Sequence, residues 1–65
     1  MNKLGFDVLC AIKEYSEINS AYLGSMLYKE QEAIEETLYR LNLDGFIKNG
    51  MLTEKGEEFL ENHRI

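Results

Sequence analysis

The residue types that most often carry catalysis are sparse in this chain, which holds one cysteine, Cys10, and one histidine, His63. A reactive thiol needs a neighbouring cation or a helix N-terminus to lower its pKa. Nothing near Cys10 in sequence does so, and it is read as a small buried hydrophobe beside an apolar helical stripe. Glu57, Glu61 and His63 fall on one side of a C-terminal helix and are the nearest approach to a metal set; a solvated charged face is the reading adopted for them. Glu35-Glu36 and Glu57-Glu58 are adjacent pairs, and adjacent residues on a helix point in different directions, which rules out an acid–base dyad. There is no phosphate-cradling glycine loop and no Ser or Cys beside a base, so neither catalysis, a cofactor nor a metal is expected. The chemistry left is that of binding.

The elements that would position such a surface follow from periodicity. Leu4, Val8, Leu9, Ala11, Ile12 and Tyr15 recur at helical spacing with Lys3, Asp7, Lys13, Glu14 and Glu17 between them, and Asn2 is placed to cap that first helix. The chain turns at Ser16 to Ile18, after which Asn19 or Ser20 caps a short second helix; with Asn19 as the cap, Ile18 and Leu23 form a hydrophobic staple. Ala21, Leu23, Met26 and Leu27 are its apolar positions, Gly24 allows a neighbouring helix to come close, and the helix ends near Tyr28. From Gln31, the apolar positions Ile34, Leu38 and Leu41 define a third helix of about fourteen residues. Gly45 stops it, with Leu41 and Phe46 spaced for the contact of a Schellman cap. Phe46–Lys48 then faces Met51–Thr53 across Asn49-Gly50, the preferred pair for a type I′ hairpin. Such short strands must lean on the helices through Phe46 and Leu52. Thr53 caps a last helix, with Glu54, Glu57 and Glu58 near its positive end and Phe59 and Leu60 as anchors.

Sixty-five residues suffice for one core, and residues 1–65 are read as one domain. A content of 45% hydrophobic and 29% charged residues is that of an ordinary folded chain and not of a disordered tail. The single cysteine allows no internal disulfide, no apolar run approaches the roughly 20 residues of a membrane span, and Asp7 interrupts the N-terminal apolar stretch. A soluble, cytoplasmic domain with no membrane partner is expected. The net charge of −5 is the feature that fits least well with nucleic acid as a partner.

Leu23, Leu27, Ile34, Leu38, Leu41, the run Asp44-Gly45-Phe46-Ile47 and the run Leu52-Thr53-Glu54-Lys55-Gly56 with Leu60 resemble, in order and spacing, the winged helix-turn-helix of bacterial regulators of the MarR and PadR kind. The chain also looks like the small winged-helix module at the N-terminus of some sugar-phosphate nucleotidyltransferase-like proteins, and would then lead a longer chain. The resemblance implies a mainly α fold of order α-α-α-β-β-α, a three-helix core plus a two-stranded wing, with the third helix in a DNA major groove and the hairpin on the flanking backbone.

On that placement Gln31, Glu32, Ala33, Glu35, Glu36, Tyr39 and Arg40 are the exposed positions of the third helix, preceded by Lys29 and Glu30. Duplex DNA would be met by Lys29, Gln31, Glu32, Arg40, Lys48 and Asn49, with Glu32 able to accept from cytosine N4. Family members carry Lys, Arg or Gln where this chain has Glu30, Glu32 and Glu36, so a second expectation stands beside the first. In it the same fold docks a protein partner or neighbouring domain through Glu32, Glu35, Glu36 and Tyr39, without DNA. A homodimer suits either expectation, although no dimer helix is evident. Tyr15 and Tyr22 are read as packing residues, and Met26 and Met51 as core filler.

Overall fold

The computed structural model describes residues 1–16 and 19–63. In chain order the elements are α1 (Lys3–Tyr15), α2 (Ser20–Leu27), α3 (Gln31–Leu43), β1 (Ile47–Lys48), β2 (Met51–Leu52) and α4 (Glu54–Asn62). This is the winged helix-turn-helix order, with three helices forming the core and a two-stranded antiparallel hairpin as the wing.

Each helix starts where a side-chain oxygen meets a free amide. Asn2 Oδ1 accepts from Gly5 N–H at 2.8 Å, Asn19 Oδ1 from Tyr22 N–H at 3.0 Å, and Thr53 Oγ1 from Gly56 N–H at 3.1 Å. The exception is α3, whose N-cap, Glu30, makes no side-chain capping bond. Its other end closes in a Schellman motif, with Phe46 N–H donating to Leu41 O at 2.9 Å and Gly45 N–H to Asn42 O at 3.0 Å. Gly45 sits at φ +83°, where a side chain would clash with the backbone. The expected staple between Ile18 and Leu23 falls on a residue outside the described ones.

The core is formed by Val8, Leu9, Ala11 and Ile12 of α1, Leu23 of α2, Ile34 and Leu41 of α3, and Ile47 of β1. Leu4, Met26, Leu27, Leu38, Phe46, Leu52, Phe59 and Leu60 close around it, half-buried. Phe59 joins three elements, its ring lying 6.3 Å from Phe6 on α1 and 5.1 Å from Phe46 at the start of the hairpin. At this seam the backbone of Phe46 crosses α4 so closely that a Cβ on Gly56 would collide with Phe46 O.

The hairpin turns on Asn49 (φ 53°) and Gly50 (φ 76°), and pairs Ile47 with Leu52 and Lys48 with Met51. Two residues per strand replace the three expected, because Thr53 begins the N-cap of α4; its N–H still donates to Phe46 O at 3.0 Å. Thr53 Oγ1 also donates to Gly45 O, so one hydroxyl joins the end of α3 to the start of α4.

Several expected core margins are surface residues. Tyr15 ends α1 and Tyr22 lies in the first turn of α2, beyond the reach of the core on either side, and both are exposed. Met51 projects from the outer side of its strand and is exposed, whereas Met26 packs as expected. Ala21 is exposed, and Ala33 is half-buried instead of facing out. Gly24 is approached by the turn into α3 and not by a helix barrel: a Cβ there would lie 2.7 Å from Lys29 O.

Candidate functional site

The α2–α3 turn and the hairpin stand at opposite ends of α3, and together they define the candidate surface. Tyr28 closes α2 in the left-handed region at φ 57°, and Lys29 N–H donates to Gly24 O at 2.8 Å, which holds the turn tight. The Tyr28 ring, 94% exposed, is the most exposed large hydrophobic side chain among the described residues. The sequence places the end of α2 near Tyr28, but neither the residue's type nor its spacing indicates a left-handed cap.

Along α3, Ile34 and Leu41 are buried and Leu38 is half-buried, which turns Gln31, Glu32, Glu35, Glu36, Tyr39, Arg40 and Leu43 outward. The three glutamates of the helix and Glu30 before it are exposed, as the helical spacing predicts. Gln31 is engaged by its neighbours: its Nε2 donates to Ser20 Oγ at 3.2 Å and to Glu35 Oε2 at 3.3 Å, while Ser20 Oγ donates to Glu35 Oε2 at 3.2 Å. This triad fastens the first turn of α2 to the first turns of α3. Gln31 and Glu35, assigned from the sequence to two different partners, therefore work as one bridge between the helices.

Arg40 lies 3.7 Å from Glu36, with both side chains largely exposed. An exposed pair of this i,i+4 kind contributes only about 0.3–0.5 kcal/mol, so Arg40 can leave it at small cost. Three further described lysines have partners of their own. Lys3 pairs with Asp7 at 3.1 Å and Lys13 with Glu57 at 2.7 Å; Lys55 donates to Asp44 O at 2.6 Å and sits 4.8 Å above the Phe46 ring. Among the described residues, Lys29 and Lys48 are the basic side chains that make no ion pair or hydrogen bond within the protein. Lys29 precedes α3, while Lys48 and the exposed Asn49 lie at the hairpin that follows it. Sequence reasoning named these two lysines but had no means of showing that they were the unpaired ones.

The sequence names Tyr39 as an exposed position but does not show Leu43 beside it. Leu43, in the last turn, is 68% exposed and Tyr39 is 65% exposed; with Glu36, Arg40 and Asp44 they line a shallow depression of about 410 Å³. Cys10 on α1 is half-buried beside α4, and its pKa is raised by burial and further by the charges of Asp7 and Glu14. Among the described residues no three His, Cys, Asp or Glu side chains gather as a metal-binding group, Glu57, Glu61 and His63 included. No described helix is long and apolar enough to cross a membrane.

Comparison of the chain with protein-family models, with curated proteins and with solved structures gives no match.

Proposed function

We propose that the chain is a winged helix-turn-helix DNA-binding domain of transcription-regulator type, which binds without catalysing a reaction. In this reading α3 meets the major groove and the wing meets the flanking backbone. The observation that carries it is the position of the unpaired cations. Lys29 and Lys48 bracket α3 at its two ends, and the loosely held Arg40 lies between them, while the cations elsewhere on the described surface serve the protein's own acids and carbonyls. Phosphate contacts at these points would fix the register of the helix on the duplex. Asn49 at the wing tip adds a neutral hydrogen-bonding group, and Glu32 a carboxylate able to accept from cytosine.

Glu32, Glu35 and Glu36 on the same helix repel phosphates, so affinity is confined to low salt. A titration of the domain against random-sequence duplex DNA at stepped salt concentrations tests this: binding at low salt that falls as salt rises is expected, and Arg40→Glu abolishes it while leaving the fold intact. An unchanged affinity in Arg40→Glu would contradict the placement of the DNA-facing surface. The proposed setting is the cytoplasm, and a second copy would extend the contacts over two half-sites.

One observation favours a second reading, in which the domain is an acidic protein-interaction module. Tyr39 and Leu43 expose apolar surface in the depression beside Glu36, an arrangement suited to a protein partner reached also through Glu32 and Glu35. No DNA binding even at the lowest salt selects this reading.

A further inference from the structure

α4 packs on α1 and β2, whereas α3 packs on α2, α1 and β1, so the outer seam between α1 and α4 belongs to neither reading of the α3 surface. The seam is an open groove of about 480 Å³. Half-buried Phe6, Cys10 and Leu60 form its apolar floor, and Glu14, Glu57 and Glu61 stand on its rim. Lys13 of the lining pairs with Glu57 at 2.7 Å, which leaves Glu14 and Glu61 as the rim carboxylates without a lysine partner, and His63 completes the lining with its Nδ1 2.8 Å from Phe59 O. Glu54 and Glu58 extend the acidic ridge along α4.

We propose that this groove docks a basic, amphipathic segment of a partner protein, whose apolar side chains enter the floor while its lysine or arginine side chains meet the rim carboxylates. Charge complementarity selects the occupant. A second copy, joined through a two-fold axis, would bring the same patch onto itself and set Glu14, Glu57 and Glu61 against their equivalents. Nucleic acid and anionic lipid are repelled by the same carboxylates. Burial raises the Cys10 pKa first, and the charges of Asp7 and Glu14 raise it further. The volume admits a few side chains and not a whole helix, so the segment lies along the groove with one apolar edge inserted.

Cys10 is the only thiol in the chain and therefore reports occupancy directly. The test adds a synthetic amphipathic helix of leucine and lysine to the protein and follows the rate at which a thiol reagent modifies Cys10. The peptide should slow modification, less so as salt rises, and Glu14→Lys/Glu61→Lys should weaken its binding by about tenfold or more. All the substituted glutamates are exposed, so the fold should hold, which thermal unfolding of each variant verifies. A matching peptide of leucine and glutamate should give no protection, and Glu32→Lys/Glu36→Lys on α3 should leave protection unchanged. The proposal is overturned if the leucine–lysine peptide fails to protect Cys10, if the glutamate peptide protects equally, if the α3 variant weakens binding as much as the groove variant, or if sedimentation reveals a dimer that already shields Cys10.

Discussion

Lys29 and Lys48 are set apart less by their charge than by the lack of an acid to hold it. If each meets one phosphate, Lys29→Gln and Lys48→Gln should each make the salt dependence of DNA binding shallower by about one on a log–log plot, with little change in sequence preference. A change in preference without a change in slope would place them at bases. Cys10 yields a prediction independent of any partner. Its raised pKa keeps the thiol protonated at neutral pH, so alkylation in the folded protein should be slower than in urea-unfolded chain. Because the folded pKa lies above the unfolded one, this contribution to stability is complete below the unfolded thiol pKa and is lost as pH rises through the folded one. Denaturant titrations at stepped alkaline pH should show stability declining over that range in the wild type and declining less in Cys10→Ser. Residue types revealed Cys10 as an unactivated thiol, but not that it floors a groove, because α4 reaches it only through the tertiary return of the chain.

At the scale of elements, the join between hairpin and last helix rests on small groups. Thr53→Ala removes the N-cap of α4 and the bond to Gly45 O together, and should cost about 1–2 kcal/mol of unfolding free energy by urea titration. Gly56→Ala forces a methyl against Phe46 O and should destabilise by about 1–3 kcal/mol or more, chiefly by prising the wing from α4. A neutral result for Gly56→Ala would mean that the wing is not seated on α4 as described. The elements themselves were legible because their signals are local: Asn2, Asn19 and Thr53 before apolar periodicity, Gly45 four residues after Leu41, and Asn49-Gly50 between two short apolar runs. What was not legible depends on angles between elements. The Ser20–Gln31–Glu35 bridge needs the α2–α3 crossing, and the left-handed Tyr28 is imposed by the tight turn against Gly24. Tyr15, Tyr22 and Met51 looked like packing residues because helical or strand spacing does not tell how far the core extends past an element's end.

The whole molecule carries −5, and the charge is unevenly used. The α1–α4 side collects carboxylates around an apolar groove, while the α3 side, though rich in glutamate, holds the unpaired Lys29 and Lys48 with Arg40 between them. The α1–α4 carboxylates repel DNA approaching from that side, and Lys29 and Lys48 on the α3 side give up no internal ion pair on binding. The most direct measurement is an amide chemical-shift map of the isotope-labelled domain as random duplex DNA is added at low salt. Shifts concentrated at Lys29 to Arg40 and at Lys48 to Gly50, reversed by added salt, are predicted. Shifts confined to α1 and α4, or none at all, would contradict α3 and the wing as a DNA-binding surface.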